Sequence, residues 1–401
     1  MMDQGQFTDF VRANVNEGQR QFADIVRTLL YRRAPQLFRQ LDFYNDEIFL
    51  EPLLFAYFNS KEPPVKLDQI LVGYIGDEPR PAITSVFADT HGVVYLPNIG
   101  YLVTDTANEE LILVWDRGSS TYRLEHENSS VSYDFEDIIR GVAPSVEVCR
   151  YSHPLFTELY TGMEGDVVNV EVKESVQRHI HHLNTAFRVL GQQYPHYYEA
   201  ILDVTRKVVI FNGKGVNSFA TLSAHGTAFL NADETDDEVF FIEDIVHQCG
   251  HVIFSALTFE KQEYFRVDPN TPLRLFTKDE RERRTVYITL HGLFTEAAMA
   301  ESLNLCYENN VFHGRQEHEL VGRLAFILKR FSHDLRNLAH RDLFTEKGLS
   351  LYNDFKDVFL DIFQKRQDFV GMFDTSNQPY TFSYAKFVEL NPLNGRLEDS
   401  V

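Results

Sequence analysis

The 401-residue chain carries 38 Lys and Arg against 59 Asp and Glu, a formal net charge of −21, with an ordinary 44% of hydrophobic residues. That acidic excess excludes a nucleic-acid binder or an anionic-membrane binder, both of which need a positive footprint. No apolar run approaches the ~20 residues of a membrane span. Three distant cysteines (Cys149, Cys249, Cys306) exclude a disulfide framework.

The start of the chain, Met1 to Gln6, has neither a basic nor an apolar stretch, so a cytoplasmic location is expected. Phe7, Phe10, Val11 and Val15, then Phe22, Ile25, Val26, Leu29 and Leu30, recur at three- and four-residue steps. This periodicity predicts helix through the first sixty residues. Pro35 interrupts it and Pro63-Pro64 ends it. From Leu67 to Val172 the texture changes to short β-branched and aromatic runs separated by turn residues. Ile70–Tyr74, Val93–Leu96, Leu111–Trp115 and Val167–Val170 are the clearest predicted strands. A helix is expected over Lys173–Leu190, a strand over Val208–Phe211, and mostly helix from Glu238 to Phe373. The class is therefore α+β, in three sections: a helical 1–62, a β-rich 63–165 and a mostly helical, metal-binding 166–401.

The segment from Val239 to Leu257 carries the chemistry. Ile242, Ile245, Val246, Cys249, Val252, Ile253 and Ala256 cover one broad side of a helix. His247 and His251 stand four residues apart, so both imidazoles leave the same face. Two imidazoles at that spacing can grip one metal ion, as in the H-E-x-x-H motif. On spacing alone, two hydrogen-bonded core histidines without metal are an equal alternative. Gln248 stands where the zinc hydrolases carry their glutamate base, and a neutral amide cannot take a proton from metal-bound water. The acidic run Asp233–Glu238 lacks the glycine and spacing of a calcium loop and reads as helix caps.

Around this helix lie Asn217–Thr221 and His225–Leu230, then Tyr264-Phe-Arg-Val-Asp-Pro-Asn-Thr-Pro-Leu273, Leu290-His-Gly-Leu-Phe-Thr-Glu-Ala297 and Leu343–Leu349. In this order they resemble the HEXXH-motif family of peptide-modification proteins, whose members include iron(II)/2-oxoglutarate-dependent peptide β-hydroxylases. The resemblance covers about Val204 to Leu351. It implies His247, His251 and His291 as metal ligands, with Gln248 in the place of the motif glutamate. Arg266 matches the arginine of that family's "W-R" pair, with Phe265 for tryptophan. Thr271 replaces its second arginine, and Arg274 is displaced to just after Leu273.

The activity so implied is hydroxylation of a Cβ in a ribosomally made peptide, with or without a leader. Molecular oxygen would be consumed and 2-oxoglutarate converted to succinate and carbon dioxide. The far carboxylate of 2-oxoglutarate needs a bidentate cation, with Arg266 the first choice and Arg274 the second. Three nitrogens on one side of iron resemble the facial triad of non-haem oxygenases. Glu296 competes with His291 as third ligand, although five residues of helix turn the two roughly 140° apart.

The remaining signals read as structural. His179–His182 fits a polar helix face, Gly213-Lys214-Gly215 a turn, and Cys249 a core position. His333 and Arg336 could line a pocket, though an exposed helix face accounts for them more simply. Two rival functions stay open: a zinc metallohydrolase with an altered base, and a non-catalytic peptide-binding protein.

Overall fold

The computed structural model describes residues 4–119, 121–143, 145–162 and 164–393; the first three residues of the Met1–Gln6 stretch considered above fall outside these. In chain order the helices are α1 (Gln4–Arg33), α2 (Pro35–Phe38), α3 (Asp46–Phe49), α4 (Pro52–Asn59), α5 (Leu67–Leu71), α6 (Lys173–Gln193) and α7 (Pro195–Val204). They continue as α8 (Glu238–Leu257), α9 (Arg274–Thr277), α10 (Val286–Glu308), α11 (Arg315–Asn337), α12 (Glu346–Met372) and α13 (Tyr384–Leu390). The strands lie in the middle of the chain, and the class is α+β as the periodicities predict. Proline marks the early boundaries. Helix α1 stops before Pro35, which opens α2, because a proline ring fits a first helical position and not an interior one.

The chain divides into two compact units. One comprises Asn16–Ile180 and Val204–Glu234, the other the described parts of Met1–Val15, His181–Asp203 and Thr235–Val401. This differs from three consecutive sections with a boundary near 165. The reason is strand pairing, since a strand from beyond residue 200 joins the sheet of residues 139–148.

The first unit holds all eleven strands of the described residues. Strands β1 (Ile83–Ala88), β4 (Glu109–Asp116), β5 (Thr121–His126) and β6 (Ser129–Val131) form an antiparallel sheet in the order β1-β4-β5-β6. Strands β2 (Val93–Leu96), β3 (Gly100–Val103) and β7 (Asp134–Glu136) form a second. The third combines β8 (Ile139–Ala143) and β9 (Val146–Val148) with β10 (Lys207–Phe211) and β11 (Thr227–Asn231), in the order β11-β10-β9-β8. Its β10 runs parallel to both neighbours. Val86, Leu111, Leu113 and Leu124 pack with Val94, Leu96 and Leu102 in one apolar core. All five residues of β10 are buried, as expected of a strand covered on both faces.

Two expected strands are absent. Ile70–Tyr74 is instead the end of α5 followed by a 3-10 turn over Val72–Tyr74. A short apolar run does not distinguish a strand from a buried helix. Here Leu67, Ile70 and Leu71 at i, i+3 and i+4 face the core. Gln69 then bonds to strand backbone with its side chain, accepting from Phe87 N at 2.7 Å and donating to Tyr95 O at 3.2 Å. Val167–Val170 makes one isolated bridge, Thr161 to Val167, and Val167 is exposed, so no sheet forms there.

A buried ionic group lies in the same unit. Lys207 Nζ is 2.9 Å from Glu147 and 3.4 Å from Glu51, and it donates to the Tyr95 hydroxyl at 2.7 Å. Tyr95 and Tyr101 donate to Glu147, and Tyr74 to Glu51. Burial works against the Lys207 charge, but Glu147 and Glu51 outweigh it and raise its pKa.

The other unit is built from long helices, α10 packing on α8, α11 and α12. Asp237 caps α8 by accepting from Val239 N, Thr285 caps α10 and Thr345 caps α12, each filling an orphan donor. The acidic run before α8 thus serves as cap and first-turn charge. Gly250 lets α8 approach its neighbours, for a Cβ there would sit 2.7 Å from the Tyr197 hydroxyl and 3.1 Å from Thr295. Arg323 of α11 is buried against Glu319 and Glu243, which ties α11 to α8.

Candidate metal centre

His247 and His251 leave α8 on one face, their ring centroids 4.8 Å apart. His291, from the first turns of α10, packs against them with its centroid 4.6 Å from that of His251. Its Nε2 is 2.9 Å from Nδ1 of His251. The rings of Phe254 (4.7 Å) and Tyr287 (5.8 Å) flank His291. All three histidines are partly exposed. The structure thus brings His291 to the His247–His251 pair, from which it stands forty residues or more along the chain.

Their protonation favours ligation. Burial, followed by the neighbouring His251 and the charge of Arg330, pushes His247 well below its ordinary value. Burial moves His251 down to about 4. His291 is lowered by burial first, then by His251, His247 and Lys261. Neutral imidazole, the form that binds metal, is therefore the resting state near pH 7.

The donors are of the type a divalent transition metal takes, and the nitrogens of His251 and His291 are close enough to share one ion. Two nitrogens each ~2.1 Å from one ion and at right angles lie roughly 3 Å apart, close to the His251–His291 separation. Among the described residues, however, no group of three or more His, Cys, Asp or Glu side chains already stands in metal-binding geometry. The hydrogen-bond pattern also works against ligation. His251 and His291 share a proton with each other. Gln248 Nε2 donates to Asp244 Oδ1 at 2.9 Å and to His247 Nδ1 at 3.2 Å. A neutral His247 that accepts at Nδ1 carries its proton on Nε2, where a ligand needs a lone pair.

Gln248 itself is buried beneath the histidines, and its Oε1 has no hydrogen-bond partner. Arg266 and Arg274 are exposed, and no hydrogen bond or ion pair joins either side chain to the histidines. Glu296 is buried on α10, with Arg330 Nε 3.6 Å from its Oε1. Burial, then the charge of Asp334, raises its pKa well above that of an ordinary carboxyl. Cys249 is fully buried in the core, and Gly213-Lys214-Gly215 is a turn with Gly215 at a φ of 81°. His179 is buried too, and not on a polar face; His182 is 2.9 Å from Glu238.

Sequence reasoning missed Asp244 and Arg330. Asp244 precedes Gln248 by one helical turn, a signal available from spacing. Arg330, on α11, acts on His247 through its charge, and no local pattern announces it. Compared with known proteins, the chain matches no family profile and none of the curated sequences.

Proposed function

We propose that the chain is an iron(II)/2-oxoglutarate-dependent oxygenase that hydroxylates a Cβ in a ribosomally made peptide. The observation that carries this reading is the meeting of His291 with His247 and His251, three neutral and partly exposed imidazoles. The order of motifs from Val204 to Leu351, which resembles the peptide hydroxylases, supports it from the sequence. His247, His251 and His291 would hold the iron. When bound, iron and 2-oxoglutarate supply the oxidising chemistry for an unactivated C–H bond. The protein's own part is positional. Asp244 fixes the Gln248 amide, and Gln248 sets the ring of His247. Phe254 and Tyr287 hold the His291 ring and keep water from that side. Gln248 cannot act as a base, which disfavours a hydrolase in the same site.

A second reading, a peptide-binding protein that does no chemistry, is favoured by one observation. His247 Nδ1 and the His251–His291 pair are already occupied by hydrogen bonds. Anaerobic addition of iron(II) and then 2-oxoglutarate separates the two readings. The oxygenase gives a visible charge-transfer band that His291→Ala abolishes. The absence of a band, with iron unbound, leaves the binding protein.

A further inference from the structure

Two cations whose hydrogen bonds go to carbonyls and a hydroxyl and not to a carboxylate, Lys329 and Arg330, share one cavity, with Glu296 3.6 Å from Arg330 as the near acid. A cleft of about 320 Å³ opens between α11, through Phe326, Lys329, Arg330 and His333, and the segment through Thr375 and Tyr380. Its volume lies at the small end for ligand sites. Arg284 on its wall is already matched, to Asp334 at 2.8 Å and Glu282 at 2.7 Å. Lys329 and Arg330 are not matched in this way. Lys329 Nζ donates to the carbonyl of Phe373 and the hydroxyl of Thr375. Arg330 donates to the carbonyl of Tyr380 and lies over the Tyr380 ring at 4.7 Å.

We infer that this cleft binds a small organic acid, one carboxylate lying against the Arg330 fork and Lys329. A planar guanidinium offers paired donors that match a carboxylate, and the adjoining rings of Phe326 and Tyr380 suit a short carbon chain. A carboxylate is favoured over a phosphate because the walls also carry acid. Asp334 lines the cleft, Asp374 faces Lys329, and the carboxyl of Glu296 lies behind Arg330. A second negative charge on the ligand would meet all three. The nearest carboxyl, Glu296, accepts no hydrogen bond and is held towards its neutral form, so it leaves most of the Arg330 charge for a ligand. The cleft adjoins the histidines electrically, since the Arg330 charge is one cause of the lowered His247.

The inference rests on the cleft and not on the metal reading, and its test is run without metal. Butyrate, pentanoate and inorganic phosphate are titrated calorimetrically into the full chain with a chelator present. The expected result is binding of the two acids, at least tenfold tighter than phosphate. Arg330→Gln is expected to weaken it at least tenfold. Because Arg330 also anchors Tyr380, Lys329→Gln is run beside it, with thermal melting to show that each variant is folded. No acid binding to the wild type overturns the inference, as do a preference for phosphate and equal affinity in both folded variants. Metal binding at the histidines survives each of those outcomes, so the two readings fail separately.

Discussion

Nδ1 of His251 and Nε2 of His291 lie 2.9 Å apart, although they belong to different helices and are separated by forty residues of chain. At this distance one proton, or one metal ion, can join the two rings. A centre built in this way should report metal through stability as well as through spectra. Saturating iron(II), or cobalt(II) as an air-stable substitute, is expected to raise the melting temperature. At a hundredfold excess over Kd the linked stabilisation is about 2.7 kcal/mol. His251→Ala and His291→Ala should each remove that increment, and a chelator should reverse it in the wild type. An increment that persists in both variants would place the metal elsewhere.

Gln248 is expected to limit metal affinity, because its amide donates to His247 Nδ1 where an acceptor would free Nε2. Gln248→Glu alone sets a second carboxylate against Asp244, 2.9 Å from the atom it replaces, and should cost about 1–3 kcal/mol in urea unfolding. Combining it with Asp244→Asn should restore that stability and tighten metal binding roughly 10–100-fold over the wild type. Equal metal affinity in the double variant and the wild type would remove Gln248 from any role at the centre.

Lys207 is expected to be costly to remove. Lys207→Met leaves Glu147 and Glu51 as buried carboxylates without their cation, and breaking such a pair costs about 3–5 kcal/mol. Chemical denaturation measures this directly. Glu147→Gln should cost less, because Glu51 continues to balance the lysine.

Acid should destabilise the strand-bearing unit through His153 and His225. Burial, joined by the charge of Lys207 for one and Arg206 for the other, holds each down to about 3 against an ordinary 6.5. The unfolded chain then binds more protons between these values, so their contribution is complete above about pH 6.5 and is lost as pH falls towards 3. His225→Gln, able to keep one hydrogen bond to Gln19, should flatten the stability profile across that window. A profile as steep as the wild type's would assign the acid sensitivity to other groups.

Much of this protein was legible in one dimension. The four-residue spacing of His247 and His251, the apolar side of α8, the prolines that bound the early helices and the apolar run of β4 are read from the sequence directly. These are local properties, set by residues a few positions apart. The helix at Ile70–Tyr74 was not legible, because its partner atoms are the backbone of Phe87 and Tyr95, which only folding brings near Gln69. The third histidine was suggested by order of motifs, but its contact with His251 depends on how α10 packs on α8. Arg330 shows the limit most clearly. In sequence it is one cation among 38, and only the packing of α11 sets it over the Tyr380 ring, beside Glu296 and within electrical reach of His247. Periodicity determines which face of a helix turns inward; which distant side chain it meets there is decided by tertiary packing, because no local interaction carries that information.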